Sequence, residues 1–162
     1  MYLLDSNVFI EAKNSYYGFE FCPAFWDWIV KAGQSGLVWS VEKVRDELID
    51  AQDDLSKWAQ QLHANFFIKV SEKTVPNLAK VSTWATTRGF DAAAVSDFLR
   101  KADYYLVAEA LTYNFTVVTR EKYDPNCKKR IKIPNACKEL GVPCITSHEL
   151  LRLEKPQFVL GS

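Results

Sequence analysis

The sequence is short of the residues that build thiolate and imidazole metal sites. It has two histidines, His63 and His148, and four cysteines, Cys22, Cys127, Cys137 and Cys144. No two cysteines form a C-x-x-C pair, and neither histidine stands at ligand spacing from them. A zinc site from Cys127, Cys137 and Cys144 is therefore the weaker reading, and reduced structural thiols the stronger. The even count also suits disulfides, but nothing else in the chain suggests secretion. Net charge is missing too: 20 Lys and Arg balance 20 Asp and Glu. That excludes a wholly basic nucleic-acid coat while leaving room for a local basic patch. No apolar run reaches the length of a membrane span, and no basic region precedes an apolar one at the N-terminus. A cytoplasmic protein without a membrane segment is the expectation. There is no internal repeat, no low-complexity tract and no dividing linker. The 162 residues are expected to form one domain with a substantial core.

What is present is apolar and aromatic weight, with 48% hydrophobic residues, ten Phe and five Trp. The chain opens on MYLLDSNVFIEAKN. A short apolar run, Tyr2-Leu3-Leu4, bounded by turn formers fits a strand buried on both faces. Ser6 or Asn7 then suits the N-cap of a following helix. Asp5 falls at the carboxyl end of that strand, where open α/β sheets gather ligands. A carboxylate at the edge of a core is costly unless paired, hydrogen-bonded or bound to a cation; the plain alternative is a turn cap.

A helix is expected over Pro23–Ala32, ended by Gly33 or Gly36. The rings of Phe19–Trp28 suit core packing or a subunit interface better than base stacking. Leu37-Val38-Trp39 reads as a strand, and Ser40 as the N-cap of the helix VEKVRDELID. Val41, Val44, Leu48 and Ala51 form its apolar stripe, with Glu47 on the shoulder, about 60° from Val44. From there a carboxylate can look toward Asp5, or simply snorkel to solvent. Helical patterns over Asp54–Ala64 and Ser71–Arg88 flank a strand at Phe66–Val70. Gly89 suits a C-cap and Asp91 an N-cap. The segment around 54–100 reads as a helical cap or arm on the domain.

In ADYYLVAEALTYNFTVVTRE, helical geometry puts Leu106, Val107, Ala110, Leu111 and Tyr113 within about 80° of Asp103. Asp103 thus occupies the apolar face at the first turn of its helix, where an anion needs a partner. Thr116–Thr119 follows as a buried strand, with Glu121 just beyond its carboxyl end. Carboxylates converging on one point repel each other unless divalent cations sit among them. An all-oxygen set selects hard ions, Mg²⁺ or Mn²⁺, which serve phosphodiester hydrolysis by activating water.

Asp5-Ser6-Asn7 after an N-terminal strand, Glu47 in a V-x-x-E-L setting, Asp103 before a small-apolar helix, and Thr119-Arg120-Glu121 as T-x-[DE] together resemble the PIN-domain family. The resemblance runs in order from Tyr2 to about Ile145. It implies a three-layer α/β/α sandwich with a short, mostly parallel central sheet. It also implies a metal-dependent ribonuclease, of the kind that includes VapC-like toxins of toxin–antitoxin pairs. By that resemblance Asp5, Glu47, Asp103 and Glu121 are the catalytic, Mg²⁺- or Mn²⁺-binding acids, with Asn7 and Thr119 orienting them. The implied partners are RNA, a cognate antitoxin and a second copy in a homodimer. Alternatives are a PIN-like nuclease in RNA processing or DNA repair, and a non-catalytic scaffold of the same fold. The chain departs from the family pattern in carrying Glu121 where Asp is more usual, with Asp124 as the substitute. It also departs in a longer basic segment, whose Lys128, Lys129, Arg130 and Lys132 suit phosphate contacts or a solvated loop. Beyond it, Pro134 opens a helix ended by Gly141, Pro143-Cys144-Ile145 reads as an edge strand, and Thr146–Glu149 as a capping box.

Overall fold

A computed structural model describes residues 1–159. The first strand, β1 (Tyr2–Leu4), is central in a five-stranded, wholly parallel sheet. Beside it on one side lie β2 (Val38–Val41) and then β3 (Phe67–Ile68); on the other lie β4 (Thr116–Val118) and the edge strand β5 (Cys144–Ile145). Leu3 and Leu4, Val38, Val117 and Val118 have no accessible surface. Each such aliphatic side chain stabilises the fold by roughly 1.5–3 kcal/mol. Runs of two to four residues suffice as strands because helices cover both sheet faces, so neither face has to be polar. This is the α/β/α arrangement expected from the sequence.

Helices connect the strands: α1 (Ser6–Glu11), α2 (Pro23–Gln34), α3 (Glu42–Asp50), α4 (Asp54–Gln61), α5 (Val75–Thr87), α6 (Ala92–Arg100), α7 (Ala102–Tyr113) and α8 (Ile133–Leu140); α9 (Ser147–Glu154) follows β5. Two helix ends follow the sequence closely. Gly141 ends α8 at φ +77°, a left-handed position that glycine takes without strain. The α9 capping box has Thr146 accepting from the Glu149 amide while the Glu149 carboxylate accepts from the Thr146 amide.

Two expected caps are corrected. Ser40 does not cap α3: it lies inside β2, fully buried, and its hydroxyl donates to the Leu4 carbonyl at 2.7 Å. The strand simply continues past Trp39 because a buried serine here has a partner on the neighbouring strand. Neither Ser6 nor Asn7 is the N-cap of α1; that residue is Asp5, and both side chains turn back to donate to its carboxylate. The strand expected over Phe66–Val70 shrinks to Phe67–Ile68, because Ala64–Phe66 form a 3₁₀ turn that leads into it.

The segment 54–100 contributes to the core rather than only covering it. It supplies β3 and the buried side chains Leu55, Phe66, Val81, Trp84 and Phe98, and α5 and α6 pack on α7. The aromatic run is likewise directed inward: Phe25 and Trp26 are buried, Phe19 stacks on Trp26 at 4.2 Å, and Tyr17 stacks on Phe25 at 4.3 Å. Phe21 is the ring of that run that stands out, at 64% exposed.

Replacing Ser40 by Ala removes the donor to the Leu4 carbonyl in a dry environment and is expected to cost about 1–2 kcal/mol. Urea unfolding should show a lower midpoint at unchanged m-value.

Candidate active site

The chain order of the sheet decides where a site can form. From β1 the chain crosses to β2, whereas from β4 it crosses to β5 on the opposite side. The crevice beyond the carboxyl ends of β1 and β4 is therefore the topological switch point. Asp5 follows β1 and Thr119 follows β4, so the fold itself brings them together. The Thr119 hydroxyl donates to Asp5 Oδ2 at 2.8 Å, Asn7 Nδ2 to the same oxygen at 3.3 Å, and Ser6 Oγ to Oδ1 at 3.3 Å. The Asp5 amide extends the ladder to the Val118 carbonyl at 3.0 Å.

Asp5 is 1% exposed, and every partner of its carboxylate is neutral. Burial is the main cause that pushes its pKa up to about 6; the Thr119 and Asn7 hydrogen bonds oppose this, and the charges of Glu121 and Glu47 add to it. Asp103, in the first turn of α7, is half-buried and has no hydrogen-bond donor or ion pair among the described residues. Burial, and then the charges of Asp5, Glu121 and Glu47, push it up to about 7, against a smaller pull from Arg130. Glu47 reaches across from α3, and its Oε1 accepts from the Ala102 amide at the start of α7 at 3.3 Å. Its residue is otherwise exposed, so it lies on the rim.

Glu121 is close enough to raise both aspartates, yet its two oxygens are engaged. Arg130 pairs with Oε1, and the Ile133 amide at the start of α8 donates to Oε2 at 2.8 Å. Asp124, the substitute, faces its own loop: Oδ1 accepts from the Asn126 amide at 3.1 Å and Oδ2 lies 3.5 Å from Lys132. The expected phosphate contacts are also largely occupied. Besides Arg130 and Lys132, Lys128 donates to the Arg88 carbonyl at 3.3 Å and lies 5.1 Å from the Phe90 ring centroid, while Lys129 is exposed. The sequence reading missed Ser6 as a partner of Asp5 and Arg130 as the partner of Glu121. The first was legible from adjacency; the second required knowing how the loop folds back.

Among the described residues no three His, Cys, Asp or Glu side chains are drawn into a closed metal cage. Cys127, Cys137 and Cys144 form no zinc site, and all four cysteines are free thiols. The chemistry of the donor set nevertheless fits a hard cation: an inward carboxylate without a donor beside a buried one with only neutral partners, and a third on the rim, all oxygen. A cavity of about 600 Å³ between α2, Trp39, Trp58 and Phe66 contains none of these acids.

A family model described as "Domain of unknown function (DUF4411)" matches residues 2–158. The chain belongs to the DUF4411 family. Three solved structures show the same fold. One is the FitAcB complex from Neisseria gonorrhoeae (TM-score 0.54, 23% identity, 90% of this chain and 96% of that chain). Another is FitAB bound to an IR36 DNA fragment (0.56, 21%, 90% and 94%). The third is VapBC2 from Rickettsia felis bound to a DNA fragment from their promoter (0.54, 14%, 90% and 97%). No curated protein matches this DUF4411 chain in sequence. No helix among the described residues is long and apolar enough to cross a membrane.

The raised aspartates have a sign that can be tested. A carboxyl whose pKa is higher folded than unfolded contributes its full stability below about pH 4 and loses it as pH rises through its folded value. In EDTA, the protein is therefore expected to lose stability between about pH 4 and pH 8. Asp103→Asn should flatten that loss and be more stable than the wild type at pH 8, by about 1–2 kcal/mol. Thermal unfolding across the pH range measures both.

Proposed function

We propose that the protein is a Mg²⁺- or Mn²⁺-dependent endoribonuclease, the toxin component of a type II toxin–antitoxin pair. The observation that carries this reading is the pair Asp5 and Asp103: Asp103 lies near enough for the Asp5 charge to raise it, and among the described residues neither carboxylate is ion-paired or hydrogen-bonded to a cation. The resemblance to PIN domains, with their VapC-like toxins, and the shared fold with chains of the FitAB and VapBC2 complexes support the toxin assignment. An antitoxin is accordingly the expected protein partner, and RNA the expected substrate.

In this reading Asp5 and Asp103 hold the ion, Glu47 adds a ligand from the rim, and Glu121 contributes charge while anchoring its loop. A bound divalent ion supplies Lewis-acid activation of water and of a phosphate oxygen. Thr119, Ser6 and Asn7 fix the Asp5 carboxylate in one orientation, so no reorganisation is required when substrate arrives. The raised values of the two aspartates mean that protons must leave before an ion can bind, so activity is expected to rise with pH through about 6 to 7. Lys129, exposed on the loop after β4, is the expected contact to the RNA backbone.

The test is cleavage of a mixed RNA pool with Mn²⁺ or Mg²⁺, against EDTA and against single-stranded DNA. Asp103→Asn is expected to lower the cleavage rate at least 100-fold while keeping the fold. Lys129→Ala should instead weaken RNA binding and lessen its salt dependence. Cleavage that survives both EDTA and Asp103→Asn contradicts the metal mechanism.

A further inference from the structure

Next to the acids lies a hollow of about 400 Å³ that the proposed site does not use. It begins at Thr119 and Glu121 and extends between the loop after β4, the start of α8 and the edge strand β5. Its apolar surface comes from Ile145, Val142 and Pro134. One wall is Tyr123, 43% exposed, with the Lys138 ammonium 4.0 Å from its ring centroid. Lys122 completes the rim.

Two glutamates also line the hollow: Glu121 is ion-paired with Arg130, and Glu149 accepts from the Thr146 amide and hydroxyl, which fix its carboxylate at the helix start. Lys122 and Lys138 have no acidic partner within ion-pair distance among the described residues. The cation–π contact holds the Tyr123 ring in one orientation without neutralising the lysine. An occupant matched to these walls carries a flat apolar ring for the tyrosine and the aliphatic floor, and a negative group for the two ammoniums. The volume lies within the range of small-ligand sites.

We propose that the hollow is a nucleotide subsite: the base of one substrate nucleotide stacks on Tyr123, and its phosphate is met by Lys122 and Lys138. The proposal rests on the nuclease reading, because continuity with Thr119 and Glu121 makes this nucleotide a neighbour of the scissile phosphate. Tyr123 and Lys138 then help to set which nucleotide is accepted beside the cut. Stacking is tolerant of base identity, so the subsite favours base size over a hydrogen-bonded code.

The experiment is titration of the full chain with nucleoside 5′-monophosphates in EDTA, followed by amide chemical shifts, with inorganic phosphate, nucleoside alone and an acidic hexapeptide as separate arms. The nucleotide is expected to bind more tightly than phosphate or nucleoside, shifting resonances around 119–123 and 134–146. Tyr123→Ala and Lys138→Gln should each weaken it about tenfold. Tyr123→Ala should also change which nucleotides flank the cleavage positions in an RNA pool. Unchanged nucleotide affinity in both variants overturns the subsite, as does phosphate binding as tightly as the nucleotide. Tighter binding of the acidic peptide assigns the hollow to a protein ligand and overturns it as well. Nucleotide binding with the expected losses, but no RNA cleavage by the wild type in Mn²⁺, leaves the subsite standing and overturns the nuclease reading.

Discussion

Asp5 ties three pieces of the fold to one atom group. Its amide continues the parallel ladder onto β4, its carbonyl accepts from the Val8 amide as α1 begins, and its carboxylate receives hydroxyls from both sides of the crevice. The backbone would be satisfied by almost any residue there, so the carboxylate is the part that needs a reason. Buried anions are costly without a countercharge, and hydroxyl and amide donors offset only part of that cost. The raised values of Asp5 and Asp103 express the same imbalance. A hard cation is the simplest chemical species that relieves both.

Much of this was legible from residue order. Short apolar runs marked the strands, the mostly parallel sheet followed from the family resemblance, and helical phase placed Asp103 on the inward face of α7, where Leu106, Val107 and Ala110 are buried. The caps failed where a polar residue had a use in the sheet rather than at a helix end, as Ser40 does. Helical phase about Asp103 says nothing of the opposite side of α7. There Glu109 is fully buried, because α5 covers that side. Its Oε1 accepts from the Thr74 hydroxyl at 3.0 Å, its Oε2 has no partner among the described residues, and burial raises its pKa. A helix packed on two faces has no polar face for a pattern to reveal.

The loop between β4 and α8 was the least legible segment. Its basic residues suggested a phosphate-binding patch, but folding turns several of them back on the chain, Arg130 to Glu121 and Lys132 to Asp124. Lys122, on the loop, and Lys138, in the last turn of α8, come to one hollow only because α8 packs beside the loop. Composition shows that such a segment is basic; only its path shows which charges are free. The same path explains Glu121, whose longer side chain reaches the start of α8 and anchors it.

The central claim is that Asp5 and Asp103 together hold one divalent cation. Calorimetric titration with Mn²⁺ at pH 7.5 and pH 5.5 tests it directly, on the wild type, Asp5→Asn and Asp103→Asn. The account predicts binding by the wild type at pH 7.5, weaker binding with more proton release at pH 5.5, and at least a tenfold loss in each variant at pH 7.5. Equal Mn²⁺ affinity in the wild type and both variants would contradict it.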